Sequence, residues 1–123
     1  MVLNPDVQVR AQAEIDDVIG SERLPDVQDR DNLPFVKAVI AETLRWSPIL
    51  PLVVSHHALN DDTYNGWFIP AGTTIVPNIW AVLQDANVYG PNAKDFNPER
   101  FLKQDGKELP PNPELFIFGF GRR

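Results

Sequence analysis

The chain has 123 residues with 43% hydrophobic and 23% charged side chains, enough for one small domain with a modest core and too apolar for a disordered segment. Its 17 acidic and 11 basic residues leave a formal net charge of −6, which argues against nucleic-acid binding, because phosphate contacts need a basic face. With no cysteine there is no disulfide framework, thiolate zinc cluster or cysteine nucleophile, and no apolar run approaches the roughly 20 residues of a membrane span.

A first helix is expected over residues 4–19. Asn4 is a good N-cap, Pro5 suits the first helical position and Asp6 favours the positive end of the helix dipole. Val7, Ala11, Ile15 and Val18 recur on one face, and Gly20 supplies a stop. Residues 21–30 are polar and proline-marked, a loop with room for one short turn. A second helix is expected from Asn32, as cap, to Trp46, with Pro34 in the first turn and Pro48 beyond its end. On its wheel Val36, Val39, Ile40, Thr43 and Leu44 share one face. Ala38, Ala41, Glu42 and Arg45 lie around the back, and Lys37 is the only evidently solvated side chain. Apolar or small residues almost all round imply a helix covered on more than one side, with Glu42 and Arg45 in or near the interior.

Strand patterns follow. Residues 52–58 form one extended run, Asn60-Asp61-Asp62 turns the chain, Tyr64 to Ile69 runs out and Pro70-Ala71-Gly72 turns it again. Thr73 to Trp80 is rich in β-branched residues, and Pro77 within it suggests an edge position. Residues 81–86 fit one helical turn. From Tyr89 to Arg123 periodicity is almost lost. Phe96, Phe101, Leu115, Phe116, Phe118 and Phe120 argue against disorder and for an ordered meander packed by its own aromatics.

Three constellations carry chemistry. Glu42 and Arg45 stand at i, i+3; on a solvated face such a pair is worth a few tenths of a kcal/mol. On a buried helix it needs further partners to offset its desolvation. Arg100, within Phe96-Asn97-Pro98-Glu99-Arg100-Phe101, is the candidate third member: either a solvated loop residue or a planar fork meeting Glu42 bidentately. The terminal Phe118-Gly119-Phe120-Gly121-Arg122-Arg123 reads either as a plain turn or as a loop pressed against something flat. His56 and His57, adjacent in a strand, point to opposite faces and cannot chelate one metal together. Asp16-Asp17 and Asp61-Asp62 read as a solvated helix face and a turn.

Taken together, Glu42-Thr43-Leu44-Arg45, Phe96 to Phe101 and Phe118 to Arg123 resemble, in order and spacing, the cytochrome P450 haem-thiolate monooxygenases. The resemblance covers the whole chain. Residues 4–15 look like the family's J helix, the second helix like its K helix, and Asn65 to Thr73 like the hairpin that follows; the style is that of fungal microsomal members. It implies an α+β, mainly α parent fold, represented here by two helices, a small antiparallel β-hairpin region and an irregular meander. By the same resemblance Glu42, Arg45 and Arg100 match the structural triad that locks the meander. His56 and Arg123 match haem-propionate contacts, and Phe118 and Gly121 match the haem loop. Leu50, Leu52, Val53 and Val54 match the substrate-pocket lining.

In the family the loop continues past its Arg to the cysteine thiolate that ligates the iron, and here the chain ends first. The expectation is therefore one partial domain over residues 1–123, cut from a longer reading frame and inactive alone. The parent would use haem, an apolar small-molecule substrate and an NADPH-dependent reductase, and would sit at the endoplasmic reticulum membrane through an N-terminal anchor. The alternative is a stand-alone, non-catalytic product that binds haem or pairs with a protein partner. A fragment should leave apolar helix surface exposed.

Overall fold

In a computed structural model, which describes residues 1–120, the chain starts with helix α1, Pro5–Ile19. Asn4 holds the cap position without a side-chain capping bond, and Gly20 ends the helix at φ 78°, its N–H returning to the Asp16 carbonyl at 3.0 Å. Ala11 is the buried residue of α1, while Val18 at the end of the expected stripe is exposed. The loop that follows tightens into a 3₁₀ turn, Val27–Asn32. Asp26 and Asp29 cap it reciprocally, and Arg23 forks onto Asp29 at 2.6 and 2.7 Å.

Helix α2 spans Pro34–Trp46, two residues later than the expected start at Asn32, which instead closes the 3₁₀ turn. Leu33 occupies the cap position and has no side chain with which to cap. The carboxylate of Glu14, on α1, takes over this task by accepting from the amides of Phe35 and Val36 at 2.9 and 2.8 Å. The wheel is also corrected. The buried residues of α2 are Phe35, Ala38, Val39, Glu42 and Arg45, whereas Ile40 is 52% exposed and Thr43 is exposed. The side bearing small Ala38 and the charged pair allows close approach by the chain after Tyr89, and that approach decides which side is covered.

The strands are shorter than the composition suggests. The run 52–58 is broken because Val53 adopts φ 44°, and its N–H closes a turn onto the Leu50 carbonyl at 3.2 Å. Such a conformation is costly for a β-branched residue. Strand β1 is reduced to His56–His57, paired antiparallel with β4, Thr74–Ile75. The stretch 64–69 is two strands: β2, Asp62–Tyr64, and β3, Trp67–Ile69, pair antiparallel about Asn65-Gly66. These two residues take φ 49° and 82°, the left-handed pair that lets a two-residue turn follow the strand twist. The run 73–80 ends as a strand at Ile75, before Pro77, and Trp80 already belongs to helix α3, Ile79–Leu83. Helix α4, Ala86–Tyr89, follows directly.

The remainder is irregular, with a 3₁₀ turn at Pro98–Phe101 and helix α5, Glu114–Ile117. Its aromatics do not all pack together. Phe96 meets Trp46 edge-on at 5.7 Å and Phe101 meets Tyr89 at 6.4 Å, but Phe118 and Phe120 are 73% and 48% exposed. Two apolar clusters result. One joins α1 to α2 through Ala11, Phe35 and Val39; the other gathers Ile79, Leu83, Tyr89 and Ala93, with Val53, Phe101, Phe116 and Ile117 against it. The architecture is α+β and helix-dominated. No helix among the described residues is long and apolar enough to cross a membrane.

Candidate functional site

The charged side chains of α2 lie at its centre. Arg45 and Glu42 are both 0% exposed, and every N–H of the guanidinium is used. Nε and Nη2 donate to the two oxygens of Glu42 at 2.7 and 2.8 Å. Nη1 donates to the carbonyls of Leu83 and Ala93 at 2.8 and 2.6 Å, and Nη2 also to Asp95 at 3.1 Å. Glu42 Oε1 additionally accepts from the Asn97 amide at 2.8 Å. The Glu42–Arg45 pair thus ties α2 to the end of α3 and to the chain at 93–97, in the low-dielectric setting where an unpaired charge would be costly.

Arg100, 8% exposed, joins this pair differently from the expected bidentate bond. Its Nε lies 3.4 Å from Glu42 Oε2, within ion-pair reach but without a hydrogen bond. Arg45 already occupies the carboxylate fork, so the Arg100 guanidinium turns to α4 and the loop after it. It donates to the Tyr89 carbonyl and to Asn92 Oδ1 and O, the last two at 3.0 and 2.9 Å. Two cations share one carboxylate, and backbone oxygens together with the Tyr89 ring, 5.4 Å from the Arg45 guanidinium carbon, meet the excess positive charge.

A second feature lies beyond this cluster. Leu50, Val53, Val54, Ser55 and His56 on one side, and Ile117 to Phe120 on the other, line a cleft of about 570 Å³. It brings together His56, Phe118 and three of the four expected pocket-lining residues, Leu50, Val53 and Val54. Leu52 does not line it. Gly121 and Arg123 lie outside the described residues. The walls are apolar, and the His56 imidazole on β1 and the Ser55 hydroxyl just before it add polar groups. Residues of that chemistry fit one face and one acidic edge of a flat macrocycle such as haem. His57, on the opposite side of β1, sits 3.3 Å from Thr74 Oγ1. Among the described residues no three His, Asp or Glu side chains gather as a metal-ligand group.

Sequence reasoning missed several participants. Asn97 lay inside the quoted motif, but its role is played by a backbone amide, which no side-chain pattern reveals. Ser55, Ile117 and Phe120 adjoin named residues and were separable from them only by the turn at Val53 and the end of α5. Tyr89 and Asn92 carried no motif.

Comparison with known proteins extends over the same residues. The family model described as cytochrome P450 matches residues 1–123. The chain is 50% identical over 123 residues to the cytochrome P450 monooxygenase eriA of Hericium erinaceus, covering 100% of this chain and 23% of the relative. It is 49% identical over 123 residues to the cytochrome P450 monooxygenase claR of Ampulloclitocybe clavipes, with the same coverage of each. A solved zebrafish cytochrome P450 structure with progesterone matches at a TM-score of 0.77 and 38% identity, over 81% of this chain and 24% of that one. The chain spans about a quarter of the length of the curated relatives it matches.

Proposed function

Because the chain belongs to the cytochrome P450 family, we propose that it forms one partial domain, residues 1–123, of a monooxygenase: a wall of the haem cleft and the locked segment that supports it. The parent enzyme inserts one oxygen atom from O₂ into an apolar organic substrate, with electrons from an NADPH-dependent reductase. Haem, when bound, supplies the oxygen-activating iron. The chain's own contribution is positional and electrostatic. Phe118, with Ile117 and Phe120, offers an apolar face, and the His56 imidazole offers an N–H to a propionate at the cleft edge. Leu50, Val53 and Val54 exclude water and select a greasy substrate. Gly121 and Arg123 complete the haem loop in this reading, on the strength of their place in the Phe118-to-Arg123 motif. Glu42, Arg45 and Arg100 lock α2 to the end of α3 and to the chain at 89–97, whose Leu83, Tyr89 and Ala93 are the base on which Val53 and Ile117 of the cleft pack.

The observation that carries this reading is the convergence of Leu50, residues 53–56 and residues 117–120 on one apolar cleft with a histidine in its lining. The 123 residues contain no cysteine and so supply no thiolate to the iron; alone they are not expected to turn over. The test is a hybrid in which this sequence replaces the matching segment of the Hericium erinaceus relative. The hybrid is expected to retain oxygenation of whatever substrate the unmodified relative converts, within about tenfold, the scale of a 1.4 kcal/mol change in barrier. A folded hybrid that never oxygenates would support the non-catalytic alternative instead.

A further inference from the structure

Tyr89 stands where the buried charge cluster and the cleft meet, and four separate parts of it are engaged. Its carbonyl accepts from Arg100, its ring faces Arg45, and its edge packs against Phe101 with planes inclined at 61°. Its hydroxyl donates to the carbonyl of Pro111 at 3.1 Å. The residue is 3% exposed.

The fourth contact is the unusual one. Pro110, Pro111 and Pro113 have no N–H, so from 110 to 113 only Asn112 carries a backbone donor, and its side-chain amide is engaged locally with Glu114 at 3.4 Å. The stretch leads into α5, where Phe116 and Ile117 pack on the cluster that contains Tyr89, and then to the cleft wall at 117–120. A side-chain hydroxyl provides here the anchor that a proline-rich backbone lacks. We propose that Tyr89 is a positioning residue for the cleft, its hydroxyl fixing Pro111 and thereby the Ile117–Phe120 wall relative to the Glu42–Arg45–Arg100 cluster. A phenylalanine would fill the same volume and keep the ring contacts, so the hydroxyl is separable from the packing. Any consequence for haem rests on the function proposed above, whereas the placement of the wall does not.

The experiment is hydrogen exchange on the 123-residue chain with and without Tyr89→Phe. Amides of residues 115–119 are expected to exchange about tenfold faster in the variant, as for one lost hydrogen bond, while those of α2 keep their rates. Unchanged rates at 115–119, or equal acceleration throughout α2, would overturn the proposal. A second measurement needs no change at Tyr89. The chain has two tyrosines, so Tyr64→Phe leaves Tyr89 as the only phenol to titrate by ultraviolet absorbance. Burial pushes that phenol up to about 12, against an opposing pull from Arg45. Since the raised value belongs to the folded state, the associated stability is fully present below the ordinary value near 10 and is lost as pH rises through about 12. Ionisation near 10 in the folded chain would mean a hydroxyl in water and would overturn the proposal even if Tyr89→Phe fails to fold. Neither assay contains haem, so failure of the haem reading leaves both results interpretable.

Discussion

Arg45→Ala is expected to lower the unfolding free energy by about 3–5 kcal/mol, or to prevent folding outright, in a denaturant titration of the 123-residue chain. Three losses coincide. Glu42, 0% exposed in the intact chain, loses both fork bonds and retains the Asn97 amide and Arg100 at 3.4 Å. The carbonyls of Leu83, Ala93 and Asp95 lose the donors that held them. The side chain removed is the largest of the fully buried ones, so its truncation leaves a cavity. A domain of this size typically holds only about 5–15 kcal/mol, so the change approaches its whole stability. Arg45→Lys should recover little, because an ammonium offers three donors from one point and cannot span a carboxylate and three carbonyls. A loss under about 0.5 kcal/mol, the range of ordinary surface changes, would show that the cluster holds nothing together.

Leu83→Ala is expected to cost about 2–5 kcal/mol by the same titration. Leu83 is 0% exposed and packs with Ile79, Tyr89 and Ala93, so truncation leaves a cavity at the junction of α3, α4 and the following chain. Its carbonyl still accepts from Arg45 after the substitution, which isolates packing from hydrogen bonding. The informative control is Ile40→Ala. Sequence periodicity places Ile40 on the apolar stripe of α2, yet it is 52% exposed, and its truncation should stay within about 0.5 kcal/mol. Comparable losses at the two positions would mean that α2 buries the Ile40 side, contrary to the fold described.

What the sequence revealed and what it withheld divide along physical lines. The i, i+3 spacing of Glu42 and Arg45 on a helix apolar almost all round was enough to expect burial and a third partner. Asn65-Gly66 was equally legible as a hairpin turn, although β-propensity on either side drew it into a single strand. Glu14 as the cap of α2 was not legible, because a carboxylate 21 residues from its amide is a tertiary fact with no local signature. The left-handed Val53 runs against its own propensity, so only its surroundings can impose it. Arg100 was found as a member of the cluster, but its turn toward Tyr89 and Asn92 follows from Arg45 having taken the fork first. Competition for one acceptor is invisible to spacing. The burial of the side bearing Glu42 and Arg45 was legible, but the exposure of Ile40 and Thr43 was not, because the wheel counts hydrophobicity without weighing what comes to cover each side.

In the function proposed, these residues form a wall of a haem cleft held in place by the Glu42–Arg45–Arg100 cluster. This is tested most directly by the haem content of the hybrid with the Hericium erinaceus relative, read by absorbance on the purified protein beside the unmodified relative. The expected result is haem in near-stoichiometric amount in the hybrid, sharply reduced when Arg45→Ala is added. A hybrid that folds cooperatively and carries no haem would contradict it.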